Sequence, residues 1–259
     1  MKISVRHALS FDLGTPTRAV HHLLLTALAT PQQKVERWSI EMPGFADAAV
    51  FRDGYGNRAH LVTQLKPEGP IDVVVSGMVE TFDMAGVLGK LDYDPMPAMF
   101  RRPTPETKAD PKLIEGLKDG PDRIALFHEL MGRIHAALGG STQMQAEGTQ
   151  SQSQGSGAKP QDYALAFIGA ARALNIPARY VTGYLLDEGV SSFHAWAEGW
   201  DERLGWIGFD PAMNVCPAED HVRLASGLDM TSTMPIRSVP VWAEMPAETV
   251  ELTSQDPST

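Results

Sequence analysis

The amino-acid sequence predicts an α+β fold, in which an N-terminal antiparallel β module precedes a unit of helices packed on an antiparallel sheet. Three observations lead to this prediction. Residues 1–82 contain short apolar and alternating stretches and lack helical periodicity. Two later segments, 122–138 and 160–175, carry apolar side chains at spacings of three and four. Three strand-like segments follow the second of them, at 178–186, 194–200 and 206–209.

The β module is predicted from strand candidates and one strong turn signal. Asp53–Asn57 is dense in Asp, Gly and Asn, and the strand candidate Ala59–Leu65 follows it, so we expect a hairpin there. Val73–Val79 is a nearly continuous apolar run of the kind found in buried strands. Further candidates lie at 3–11, 23–25 and 35–42.

Residues 83–121 are rich in Pro, Gly and Asp, so they are predicted to be a linker with one short helix at most. The core is predicted over 122–243, and the residues from 244 to 259 are expected to be a loose C-terminal tail.

Within the core, the Gly/Gln/Ser-rich segment 139–159 cannot bury enough apolar surface to order itself, and we expect a mobile loop. The alternative is a loop that becomes ordered when a partner binds. Pro160 suits the first position of the following helix, where a backbone N–H is not needed. Asn175 and Pro177 end that helix.

Composition narrows the possible partners. The chain has 259 residues, with 22 Lys and Arg against 32 Asp and Glu, and a net charge of -10. This acidic balance disfavours nucleic acid and anionic membranes as partners. No apolar run is long enough to span a bilayer, and the first residues do not resemble a signal peptide, so a cytoplasmic location is expected. Cys216 is the single cysteine, which excludes an internal disulfide and a cysteine-built zinc site.

His194 and Asp210 form the first candidate catalytic pair. If residues 201–205 turn an antiparallel hairpin, His194 lies opposite Asp210 or its neighbour. A carboxylate at that position would fix the imidazole tautomer, as the third member of a nucleophile–base–acid triad does. The alternative is a half-buried histidine that is merely satisfied by a neighbouring acid. A nucleophile would best be placed at a helix start, and the helix opening at Pro160 is the candidate position.

Several motifs follow one another along the chain: Gln161–Ala164 with Ala171–Tyr184, His194–Trp200, Gly205–Pro211 and, in the β module, Asp53–Asn57 with Val79–Thr81. Together they resemble the bacterial transglutaminase-like proteins, which have the papain-like cysteine protease fold. The resemblance implies a transglutaminase-like core behind a bacterial transglutaminase-like N-terminal region, with His194 and Asp210 as two members of a catalytic triad.

The sequence departs from this family at the nucleophile. Family members carry a catalytic cysteine directly before Gln-Asp, in a Gly-x-Cys-Gln-Asp pattern, whereas Pro160 stands before Gln161 and Asp162 here. Proline supplies neither a thiol nor a backbone N–H for an oxyanion. We therefore interpret His194 and Asp210 as remnants of a triad.

No other residue type is an obvious substitute for the missing thiol. Cys216 lies beyond the aspartate strand, three serines fall in the Gly/Gln/Ser segment (Ser151, Ser153, Ser156), and Ser191 and Ser192 lie on the wrong side of the hairpin. The remaining histidines show no paired ligand spacing, so no metal site and no cofactor are predicted; they are His7, His21, His22, His60, His128, His135 and His221.

The predicted function is non-catalytic binding of a peptide or protein in the former substrate groove, in a transglutaminase-like protein that has lost its catalytic cysteine. Gln161, Trp196 and Trp206 are the candidates for lining that groove, although tryptophans on a hairpin are often core residues. The alternative is an amide hydrolase or acyl transferase that uses a substitute or partner-supplied nucleophile. A structural subunit with a filled groove is a third possibility.

Overall fold

The computed structural model describes residues 1–139, 157–187 and 190–255, so most of the predicted mobile loop lies outside the described residues. In the described ranges, the strands are β1 (Lys2–Phe11), β2 (Arg18–Leu23), β3 (Gln33–Glu41), β4 (Ala49–Arg52), β5 (Arg58–Leu65), β6 (Ile71–Thr81), β7 (Val87–Gly89), β8 (Ala178–Asp187), β9 (Val190–Asp201), β10 (Gly205–Phe209), β11 (His221–Gly227), β12 (Ile236–Val239) and β13 (Ala247–Gln255). The α-helices are α1 (Pro111–Ile114), α2 (Arg123–Leu138) and α3 (Pro160–Ala173).

The strands form three antiparallel sheets. Their orders are β13-β1-β6-β3, β12-β2-β5-β4 and β11-β8-β9-β10-β7. Apolar side chains from the first two sheets meet in one core, which includes Val5, Val75, Leu23 and Val62. Tyr184 of β8 enters the same core, so the third sheet packs directly against the β module. Among the described helices, none combines the length and apolar character that crossing a membrane requires.

The predicted hairpin in the β module is present. Arg52 of β4 pairs with Arg58 of β5. Between them, Asp53 Oδ1 accepts the N–H groups of Tyr55 and Asn57, each at 2.9 Å. The side chain of Asp53 therefore closes the turn in the way that favours Asp at the first position of such loops.

The prediction of a loose C-terminal tail is wrong for residues 247–255. These residues form β13, which pairs with β1 from Lys2–Gln255 to Ser10–Ala247. Most side chains of β13 are exposed and Leu252 is the buried one, so backbone hydrogen bonds at a sheet edge, rather than an apolar pattern, hold this strand. β12 completes the second sheet in the same way by pairing with β2.

The predicted linker contributes to the third sheet. Val87–Gly89 forms β7 and pairs with β10 at the sheet edge. Phe100 is fully buried and packs edge-on against Trp206, with ring centroids 5.2 Å apart. Apolar side chains within a proline-rich segment thus join it to the core.

Both long helices begin and end as their sequences predict. The Asp122 side chain accepts the Ala125 N–H at the start of α2, and Gly139 ends it with a φ of 99°. Asp162 accepts the Lys159 N–H at 2.8 Å at the start of α3, and Asn175 follows its end with a φ of 61°.

The strand β9 has two different faces. Ala195, Ala197 and Gly199 are small and buried against the helices, and a Cβ on Gly199 would lie 2.5 Å from the Phe127 ring of α2. Because side chains alternate along a strand, His194, Trp196 and Glu198 point the other way. Small residues on one face therefore bring α2 and α3 close, and the opposite face carries the polar groups.

Candidate active site

The hairpin of β9 and β10 brings His194 and Asp210 together. Trp206 pairs with Trp200 and Phe209 with Ala197, and Asp210 follows directly after β10. His194 Nε2 lies 2.6 Å from Asp210 Oδ2, and both side chains are buried. The contact predicted from hairpin spacing is therefore present.

Asp210 accepts hydrogen bonds on both of its oxygens. Oδ1 accepts the backbone N–H groups of Ala212 and Met213 at 3.0 and 3.3 Å. Burial alone would raise the pKa of this carboxyl, but the charges and hydrogen bonds of His194 and His221 outweigh burial and hold the pKa far below its ordinary value. Asp210 is a carboxylate and can only accept.

His221 is a site residue that the sequence analysis missed. Its Nε2 lies 3.2 Å from Asp210 Oδ2, and its Nδ1 lies 2.5 Å from Asp220 Oδ1. Burial lowers the pKa of His221, but the hydrogen bonds to Asp210 and Asp220 outweigh it and raise the pKa to about 9. His221 is an imidazolium that donates from both ring nitrogens. The adjacent Asp-His pair ahead of an alternating stretch is the signal that could have indicated it.

The carboxylate also fixes the tautomer of His194. Because Asp210 only accepts, the proton lies on His194 Nε2. The opposite nitrogen, Nδ1, has no hydrogen-bond partner among the described residues. When the neutral ring carries its proton on Nε2, Nδ1 holds the free lone pair and can accept a hydrogen bond or a proton.

His194, Asp210 and His221 also form a group whose ligand atoms all lie within 4.8 Å, a grouping the sequence analysis did not anticipate. The separations of 2.6 and 3.2 Å from Asp210 are hydrogen-bond distances. Asp210 therefore joins the two histidines through hydrogen bonds.

A cavity of about 180 Å³ lies beside His194. Gln161, from the first turn of α3, lines it together with Tyr180 of β8. Apolar side chains form most of the remaining wall: Leu9, Phe193, Met230, Met234, Pro235, Ile236, Trp242, Met245 and Pro246. Gln161, the residue after Pro160, and His194 therefore border the same space.

Of the three predicted groove residues, Gln161 alone lines this cavity. Trp196 packs against both histidines, and its ring centroid is 6.4 Å from that of His194 and 5.4 Å from that of His221. Trp206 is fully buried in a separate cluster with Phe100 and Trp200. The prediction that the two tryptophans line the groove is wrong, because both are core residues of the sheet.

Cys216, Ser191 and Ser192 do not line the cavity. Cys216 is half-buried near Gly86, and burial, with the charge of Asp83, raises the pKa of its thiol. Ser191 Oγ accepts the Leu252 N–H at 2.7 Å and thereby ties β9 to β13. Ser151, Ser153 and Ser156 lie outside the described residues.

A second buried polar group lies further along β9. Glu198 Oε2 accepts from Arg179 Nε at 2.5 Å, and Glu198 Oε1 accepts from Arg223 Nε at 2.7 Å. Arg179 also donates to Asp94 at 2.9 Å, and its guanidinium lies 4.0 Å from the centroid of the Trp206 ring. The two positive and two negative charges of this cluster balance each other. Because Glu198 of β9 binds Arg179 of β8 and Arg223 of β11, the cluster holds these three strands together.

The charge of His221 should make the stability of the protein depend on pH. The folded state binds the His221 proton more tightly than the unfolded chain does, because the pKa rises from 6.5 to about 9. The stabilisation is thus complete below pH 6.5 and lost as the pH rises through about 9, and we expect the free energy of unfolding to fall by up to ~3 kcal/mol. Urea unfolding at a series of pH values between 6.5 and about 9 measures this loss of stability. His221→Gln should lose most of this slope, and the exposed His128→Gln should keep it. An unchanged slope in His221→Gln would contradict the assignment.

Comparison with known proteins identifies two matching regions in this chain. Residues 125–211 match the family model of the transglutaminase-like superfamily, and residues 3–80 match that of the bacterial transglutaminase-like N-terminal region. The chain therefore belongs to the transglutaminase-like superfamily and carries the bacterial N-terminal region in front of the core. The family resemblance predicted from the sequence motifs is confirmed.

Relatives of similar length occur in mycobacteria. The chain is 24% identical to protein ML0607 of Mycobacterium leprae, over 92% of both chains. It is 25% identical to protein Rv2569c of Mycobacterium tuberculosis, over 76% of this chain and 73% of the relative. A solved structure, that of "a Putative Cysteine Protease from Cytophaga hutchinsonii", matches with a TM-score of 0.70 and 21% identity, covering 100% of this chain and 92% of the other. The two share a fold.

Proposed function

We propose that this protein is a non-catalytic member of its superfamily, and that its cavity beside His194 binds a peptide or protein ligand. One observation carries the proposal. Pro160 opens α3 directly before Gln161, which shares the cavity with His194. The family resemblance assigns the nucleophile to this position, and the residue there has no nucleophilic atom.

Proline at this position removes two catalytic groups together. Its ring carries no thiol to attack a carbonyl, and its nitrogen carries no hydrogen to stabilise an oxyanion. Loss of one oxyanion donor alone costs roughly 10²–10³ in rate. The cavity, the buried histidine and the helix start are all retained, so the capacity that remains is binding.

A second candidate function is amide hydrolysis or acyl transfer with a substitute or partner-supplied nucleophile. The observation that favours it is the intact base. His194 is held by Asp210 at 2.6 Å, and its Nδ1 is available to take a proton from an incoming nucleophile.

An assay of turnover distinguishes the two functions. Wild-type protein and His194→Ala are compared on peptide and glutamine substrates, with and without added amines, by following ammonia release and amine incorporation. We expect no turnover above background in either protein, because Pro160 supplies no nucleophile at the position where the family carries its cysteine. The exposed His128→Ala variant controls for the handling of a histidine substitution. Turnover that disappears with His194 alone would overturn the non-catalytic proposal and support the second candidate.

A further inference from the structure

We propose that the cavity beside His194 binds a single aromatic ring bearing a hydroxyl group, such as a phenol or the side chain of tyrosine, whose O–H donates to His194 Nδ1. The inference rests on the proposed binding function and specifies the chemistry of the ligand. Cavity size, wall composition and the polar groups at the site each support it.

The volume suits one ring. The cavity measures about 180 Å³. Apolar protein cavities of about 150 Å³ accept benzene. One substituted ring therefore fits.

The walls favour an aromatic body. Met230, Met234 and Met245 contribute three thioethers, and Phe193 and Trp242 contribute two rings. Thioether sulfur makes favourable contacts with aromatic rings, and the flexible methionine side chain adapts to their shape. An aromatic group gains these contacts, whereas an aliphatic chain of equal volume does not.

The polar groups at the cavity select a neutral donor. His194 Nδ1 accepts, for the reasons given above, so a ligand carboxylate would place negative charge against a lone pair. Tyr180 Oη is buried and has no hydrogen-bond partner among the described residues, and burial raises the pKa of this phenol so that it stays protonated. The Gln161 Oε1 atom is buried and, in the same described ranges, also without a partner.

A ligand hydroxyl can serve two of these groups, His194 and Tyr180, at once. It can donate its proton to His194 Nδ1 and accept one from Tyr180 Oη, because a hydroxyl both donates and accepts. A ligand ammonium would bring a further cation close to the His221 imidazolium and would have to lose its hydration. Glu248, at the cavity wall, is already paired with His7 at 2.9 Å.

The test compares probes that differ by one methyl group. Isothermal titration calorimetry of the wild-type protein is carried out with p-cresol and with 4-methylanisole, in which the hydroxyl is methylated and cannot donate. We expect p-cresol to bind about tenfold more tightly, because 4-methylanisole leaves Nδ1 buried without a partner. Equal affinities, tighter binding of 4-methylanisole, or no binding of either probe at millimolar concentration would overturn the inference.

Two variants assign the preference to the site. His194→Ala should bind both probes with similar affinity, and the exposed His128→Ala should keep the tenfold preference. Tyr180→Phe removes one hydroxyl without changing the cavity walls and should reduce the preference for p-cresol severalfold. A full preference retained in both His194→Ala and Tyr180→Phe would overturn the inference even if one of the variants were poorly folded.

The source of the hydroxyl is distinguished by N-acetyltyrosinamide. If it binds as tightly as p-cresol or more so, the ligand is a tyrosine within a peptide. If p-cresol binds and N-acetyltyrosinamide does not, the ligand is a free phenol. Both outcomes support the chemistry proposed, and neither depends on turnover. His194-dependent turnover together with the p-cresol preference would therefore reject the non-catalytic proposal and leave the ligand chemistry standing.

Discussion

Replacing Glu198 with Gln is expected to lower the free energy of unfolding by about 3–5 kcal/mol. Glu198 is 2% exposed and accepts hydrogen bonds from Arg179 and Arg223. Burial would raise the pKa of its carboxyl, but the two guanidinium groups outweigh burial and hold the pKa below its ordinary value. The amide leaves two buried cations facing Asp94 alone. Guanidinium unfolding followed by tryptophan fluorescence measures the change.

The matched control is Glu80→Gln, on the β module. Glu80 pairs with the exposed Lys34 at 3.8 Å, so its replacement should cost less than about 1 kcal/mol. The double variant Glu198→Met/Arg223→Met removes a charge of each sign. It should lower the free energy of unfolding by less than the sum of the losses for Glu198→Met and Arg223→Met alone. If Glu198→Gln lowered the free energy of unfolding as little as Glu80→Gln does, the charged cluster around Glu198 would not be desolvated.

Replacing Pro160 with Cys is expected to create a thiol that reacts with iodoacetamide at least about tenfold faster than Cys216 at pH 7. The start of α3 stabilises a thiolate through the helix dipole, and His194 Nδ1, on the same cavity, can take the proton. The same substitution restores a backbone N–H. Cys216 is slow by comparison, because burial raises the pKa of its thiol. Mass spectrometry of the alkylated peptides gives both rates in one sample.

A second variant separates the effect of the histidine from that of the helix. Pro160→Cys combined with His194→Ala should react more slowly than Pro160→Cys alone, whereas Pro160→Cys with His128→Ala should not. If the introduced thiol reacts no faster than Cys216, then position 160 is not coupled to His194, and the proposal that Pro160 stands at the nucleophile position is wrong.

The local features of the core were predictable from the sequence, because short-range rules determine them. Hairpin spacing places His194 near Asp210, and apolar periodicity with terminal caps locates α2 and α3. The turn Asp53–Asn57 is equally local. In each case the interacting residues lie close along the chain or within one element.

The features that the sequence did not predict depend on distant pairings. His221 reaches Asp210 because β11 pairs with β8, where His221 lies opposite Leu185. The cavity wall that includes Trp242 and Met245 comes from a segment without regular structure between β12 and β13. β13 carries few apolar residues, so no periodicity marks it. Single-sequence patterns do not encode which edge such a strand will join.

The pairing of β1 with β13 has a consequence for how the protein is made. Lys2 and Gln255 are partners in one sheet, and Val20 of β2 pairs with Val239 of β12 in another. During synthesis, the first two strands leave the ribosome long before their neighbours exist, and their exposed edges can pair with other chains in the meantime. Contacts between residues so far apart also slow folding. We therefore expect both sheets to be completed only after residues 236–255 have been synthesised, and the yield of folded protein to depend on chaperones that shield the unpaired strand edges until then.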